Sequence, residues 1–156
     1  MFLPKELDLH RLEEVTRRIL KGLPLERRNG RTLAYLYMMK GEVELGAWGN
    51  KYLYVTDNSD LARSALREFA ELLKREYSAY GDGIEVDINR GRLLFLGGLM
   101  FEFIGAPQFT EPQRIRGRTY DRVFFDVSGD TQWELDRNGD LMAAMETLRQ
   151  LGADFV

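Results

Sequence analysis

The stretch from Lys51 to Tyr77 constrains the chain most: an apolar run, KYLYVT, passes through Asp57-Asn58 into a long amphipathic segment. Aromatic and β-branched residues bounded by turn formers predict a strand over 51–56. Asn58 or Ser59 then caps a helix running to about Tyr77, with Leu61, Ala65, Leu66, Phe69, Leu72 and Leu73 as its buried stripe. A strand that feeds a helix in this way belongs to a sheet covered by helices.

The rest of the chain extends the same alternation. Leu9, Leu12, Val15 and Ile19 predict a helix from an Asp8 cap to about Lys21, and Gly22 and Pro24 stop it. Residues 22–31 read as a loop, and a second helix spans Thr32 to about Val43. Ile84–Ile88 and Arg92–Leu96, joined by Asn89-Arg90-Gly91, form a hairpin, and Leu99–Ile104 is a further strand. Residues 105–119 read as a polar loop. The apolar run Arg122–Val127 has the character of a strand buried on both faces. Ser128–Gly139 reads as a loop, Asn138 caps a last helix, and Ala153–Val156 adds a short strand. The expected fold is therefore a three-layer α/β/α domain, residues 1–156, with a mostly parallel sheet and an antiparallel hairpin addition. Ligands of such sheets bind at the carboxyl ends of the strands, here the loops 22–32, 56–60 and 127–134.

Composition narrows the chemistry. The chain has no cysteine and one histidine, His10, so thiolate zinc sites and disulfides are excluded. A cytoplasmic location and a hard cation on oxygen ligands are the expectations. No apolar run reaches the roughly 20 residues that span a bilayer, and the first residues do not read as a signal peptide. A net charge of −3 argues against a uniformly basic surface while allowing local basic patches.

Three constellations bear on function. Arg27-Arg28-Asn29-Gly30-Arg31-Thr32 opens a helix, where free N–H groups attract phosphate and a hydroxyl just inside the helix can hold Mg²⁺. Gly30-Arg31-Thr32 stands where a phosphate loop has Gly-Lys-Thr, but the first glycine of that pattern is replaced by Leu25. On this stretch alone a capped helix with solvated arginines is the favoured reading. Asp126 ends an apolar strand, the position from which a carboxylate orients Mg²⁺ near phosphates, or simply forms an acidic turn. Arg114, Arg116 and Arg118 alternate in a loop that could meet phosphates or remain solvated. Among the aromatics, Trp48 and Trp133 lie in expected loops and suit contact with a ligand or partner, whereas Tyr52, Tyr54, Phe95, Phe101 and Phe103 read as core.

The order of these segments resembles the ATPase core of phage large terminases and related helicase-like P-loop NTPases, over roughly residues 22–151. In that resemblance Arg31 takes the place of the phosphate-loop lysine, and Arg28, Asn29, Gly30, Arg31 and Thr32 surround the nucleotide phosphates. Thr32 and Asp126 hold Mg²⁺, and Arg116 neutralises the γ-phosphate. The resemblance implies Mg²⁺-dependent binding of ATP, hydrolysis in a DNA-packaging setting, and DNA or a phage or host protein as partner, in a homo-oligomer. Two departures leave hydrolysis and inactive binding level. Arginine replaces a compact ammonium by a planar fork. Val127 stands where a catalytic glutamate follows the aspartate, so Asp130 or Glu134 would have to activate water. An unrelated α/β domain that binds a protein or nucleic acid is the third alternative.

Overall fold

The structure is a computed structural model and describes residues 13, 14, 16, 17, 19, 30–45, 49–111 and 118–156. Of the first expected helix, Glu13, Glu14, Thr16, Arg17 and Ile19 are helical, and Ile19 packs in the core; the Asp8 cap lies outside the described residues.

The described elements run α1 (Arg31–Glu44), β1 (Lys51–Thr56), α2 (Ser59–Glu76), a 3-10 turn (Ser78–Gly83), β2 (Ile84–Asp87), β3 (Arg92–Phe95), β4 (Leu99–Gly105), α3 (Ala106–Phe109), β5 (Arg122–Asp126), α4 (Gly129–Leu135), a second 3-10 turn (Asp136–Asn138), α5 (Asp140–Gln150) and β6 (Asp154–Phe155). They form a six-stranded sheet in the order β2-β3-β4-β1-β5-β6. β1 pairs in parallel with β4 and β5, and β5 in parallel with β6. Both pairings of β3 are antiparallel, so β3 alone opposes the other strands. This is the expected mostly parallel α/β sheet, with the hairpin at one edge.

β1 is central and buried from its second residue onward, which explains its unbroken apolar run. Its alternate residues serve two cores. Tyr52 and Tyr54 join Phe101, Phe103 and Phe124 beneath α1 and α2. Leu53 and Val55 join Val123 beneath α3 and α5. Helices therefore cover both faces. The expected stripe of α2 is corrected at one end: Leu61 is 37% exposed, and Ala62 packs inward instead. In α5, Leu141, Ala144 and Leu148 are buried, while Leu151 lies outside the core.

The polar stretch expected as a loop from Ser128 is instead α4. Its existence rests on Ser128, whose side chain accepts from the Thr131 amide, and on Asp130 in the first turn. None of its residues is buried, so it carries no apolar stripe that a sequence pattern could register. Residues 106–109 also form a short helix with Pro107 in its first turn, where the missing N–H is no loss.

The parallel strands end level. Thr56 lies opposite Gly105 on one side and Asp126 on the other. Gly105 is required at its place: a Cβ there would come within 2.6 Å of the Asn58 carbonyl carbon and 2.7 Å of the Ser59 nitrogen. The end of β4 thus packs directly on the turn that starts α2, while the Asn58 side chain accepts from the Leu61 amide at 2.9 Å. Among the described residues, no helix is long and apolar enough to cross a membrane.

Candidate functional site

The end of β5 and the start of α1 meet at the carboxyl edge of the sheet. Period-two alternation puts Asp126 on the same face as Phe124, and Tyr54 and Thr56 on that face of β1. Gly30 precedes the helix in the left-handed region, with φ 78°, a conformation glycine adopts freely. Its carbonyl accepts from the Ala34 amide at 2.9 Å, so the helix is wound from its first turn. This brings Arg31 and Thr32 over the end of β5.

Asp126 has no solvent exposure. One carboxylate oxygen, Oδ1, accepts from Arg31 Nε at 2.5 Å. The other, Oδ2, accepts from Thr32 Oγ1 at 2.7 Å and from the Tyr54 hydroxyl. A buried carboxylate needs such donors and a countercharge, since burial alone would disfavour its charge. Tyr54 is held protonated in turn: burial and the neighbouring Asp126 charge push its pKa well above the usual phenol value. Tyr35, one turn along α1 from Arg31, donates to the Phe125 carbonyl at 2.8 Å, fixing the helix to the strand beside the carboxylate. Burial, followed by the Asp126 charge, raises its pKa as well.

Of the residues singled out in the sequence, Gly30, Arg31, Thr32 and Asp126 come together in this corner, although Arg31 and Asp126 are 95 positions apart. Arg28, Asn29, Arg114, Arg116 and Trp48 lie outside the described residues. Asp130 and Glu134 sit on the exposed α4. Val127, at the position after Asp126, points into the second core with 1% exposure. Trp133 is 70% exposed, with the Arg137 guanidinium 5.3 Å from its ring.

Sequence reasoning missed Tyr54, Tyr35 and Glu102. The signal for Tyr54 and Glu102 was present, whereas nothing in the sequence marks Tyr35 on its helix. A tyrosine in a strand buried on both faces must find an acceptor for its hydroxyl. A glutamate inside LMFEFIG must find a cation. Glu102 does so, accepting from Arg118 Nη1 at 2.9 Å.

The donor set bears on Mg²⁺. That ion binds through one or two carboxylates and keeps its other positions for water and substrate phosphates. Thr32 and Asp126, already in contact, are one hydroxyl and one carboxylate of the required hard-oxygen kind. Among the described residues no group of three or more His, Cys, Asp or Glu gathers to hold a metal without such help.

No protein-family model matches the chain, and no curated protein does. Among solved structures, the large terminase ATPase domain of Thermus phage P74-26 aligns with a TM-score of 0.58 and 17% identity. The fold is that of a terminase ATPase domain. The alignment covers 85% of this chain and 56% of that one, so this chain spans little more than half of the solved domain's length. At this identity the likeness is one of fold.

Proposed function

We propose that this terminase-like domain binds a nucleoside triphosphate, ATP, together with Mg²⁺ at the corner where α1 meets β5. The observation that carries the proposal is the direct Thr32–Asp126 hydrogen bond at the carboxyl end of a parallel sheet. It joins the two side chain types that share Mg²⁺ in phosphate-loop sites, and it does so at the N-terminus of a helix, where phosphate is favoured. Thr32 and Asp126 would hold the ion, which neutralises phosphate charge when bound. Gly30 allows the backbone to come close. Tyr54 keeps Asp126 oriented through Oδ2. Arg31 offers its guanidinium to phosphate oxygens in exchange for Asp126. Arg28 and Asn29 complete the loop and Arg116 meets the γ-phosphate, as the resemblance implies.

A second reading has its own observation. Arg31 already neutralises Asp126 in a buried pair, and the buried Val127 leaves no carboxylate directly after it. These features favour nucleotide binding with little hydrolysis, in a domain that serves as a nucleic-acid- or protein-binding module. If hydrolysis occurs, Asp130 is the acid assigned to activate water.

Calorimetric titration with Mg-ATP tests the site, using the full chain and the variants Thr32→Val and Asp126→Asn, each checked for folding by circular dichroism. Saturable binding that both variants and EDTA weaken supports it. Absence of binding at millimolar ATP by the folded protein sinks it. A phosphate-release assay with and without DNA then separates a turning-over ATPase from the binding module.

A further inference from the structure

A second feature at the same end of the sheet carries a separate inference. β4 outruns its antiparallel neighbour: β3 begins at Arg92, opposite Glu102, while β4 continues to Gly105. The hairpin turn stands on one side of the overhang and the first turn of α2 on the other. Between them lies a cleft of about 330 Å³. This volume is in the range of small-ligand sites.

The cleft is strongly cationic in a chain of net charge −3. Arg63 from α2, Arg90 and Arg92 from the hairpin, and Arg118 from the segment before β5 all line it. Among the described residues Glu102 is the one acid in the lining, and it is committed to Arg118 at 2.9 Å. Arg63 pairs with Asp60 at 3.1 Å and Arg90 with Asp87 at 3.7 Å, and both partners are solvent-exposed. Exposed pairs of this kind are weak, so an incoming anion displaces them at little cost. The start of α2, an 18-residue helix, adds its partial positive charge to the same wall. The aromatic residues beneath, Phe103 and Tyr120, are 4% and 5% exposed and offer no face for stacking. The four arginines suit phosphate oxygens, and no aromatic face is open to stack on a base.

We infer that this cleft is a second phosphate-binding site, independent of the Asp126 corner, for a ligand carrying a short run of phosphates. Free oligophosphate and the backbone of a nucleic-acid strand present that same chemistry. Recognition is independent of base sequence and strongly dependent on salt.

The test uses the full chain and two probes: inorganic tripolyphosphate by calorimetry and a labelled single-stranded oligothymidylate by fluorescence anisotropy. The variants are Arg63→Gln/Arg90→Gln, at two exposed positions, and Arg92→Gln as a second probe of the hairpin, all titrated in EDTA. At least one probe binds the wild type, and the double variant weakens it by at least ~tenfold, the loss expected for removing charge-assisted hydrogen bonds. A strand that contacts all four arginines loses about fiftyfold in affinity between roughly 50 and 200 mM salt. EDTA silences the Mg²⁺-dependent corner, so failure of the nucleotide site and failure of this one are distinguishable. Binding of tripolyphosphate alone identifies a small ligand, and binding of the oligonucleotide identifies a strand backbone. If neither probe binds at about 50 mM salt, the inference is overturned. It is overturned equally if binding survives the arginine substitutions.

Discussion

Removing the Arg31 guanidinium tests the corner most sharply. Asp126 is fully buried and Arg31 is 8% exposed, so this pair is not a solvent-screened surface contact. With Nε 2.5 Å from Oδ1, the centres of charge are only slightly further apart. At an effective permittivity near 20, opposite charges ~4 Å apart attract by about 4 kcal/mol. Removing one partner of such a pair leaves the other charge buried, which costs about 3–5 kcal/mol. Arg31→Met therefore lowers stability by about 4 kcal/mol; for a urea slope of ~2 kcal/mol per molar, the unfolding midpoint falls by about 2 M. Asp126→Asn keeps acceptors for Thr32 and Tyr54 but strands the guanidinium. In the double variant Arg31→Met/Asp126→Asn neither charge is left behind, so its loss falls short of the sum of the single losses by at least ~2 kcal/mol. Urea unfolding followed by far-ultraviolet circular dichroism measures all three. Single losses that add to within ~0.5 kcal/mol would refute the coupling, and with it the claim that Arg31 must release Asp126 before either can serve a ligand.

Two further predictions concern packing and pH. Gly105→Ala drives a Cβ into the Asn58–Ser59 backbone and costs ~1–3 kcal/mol, whereas Gly41→Ala, in the interior of α1 with nothing within 4 Å of its Cβ, stabilises by about 0.5–1 kcal/mol; urea midpoints moving in the same direction would contradict this. Burial raises the pKa of Tyr35 and Tyr54 and pushes Tyr120 up to about 12. Their stabilising effect is complete below the ordinary phenol value of about 10 and is lost as pH rises through the folded values, because the unfolded chain releases protons that the folded chain retains. Stability then falls by up to ~4 kcal/mol per pH unit just above pH ~10 for three tyrosines, measurable by urea unfolding alongside tyrosinate absorbance. A flat profile through that window contradicts the burial of these hydroxyls.

The parts of the fold legible in the sequence were those whose burial leaves a periodic trace. Lys51–Thr56 was found at its observed limits because both of its faces are covered. α2 was legible because Asn58 caps it and an apolar stripe follows. α4 left no trace, being short, exposed and held at its start by the polar groups of Ser128 and Asp130. In the corner, Arg31, Thr32 and Asp126 were marked by their places on a helix start and a strand end. Their mutual bonding was not legible, because it depends on which helix lies over which strand, and that is a property of the sheet order. For the same reason Arg118 is visible in sequence as one of three arginines on a loop, while its companions in space, Arg63 on α2 and Arg90 and Arg92 on the hairpin, come from two other places in the chain.

The contact between Gly105 and Asn58 has a mechanical consequence. There is no clearance between the end of β4 and the turn leaving β1, so the two behave as one stiff block. That block forms a wall of the arginine cleft on one side. On the other it continues through Thr56 to the strand end that carries Asp126. A load applied to the hairpin side is therefore delivered to the carboxylate corner without slack.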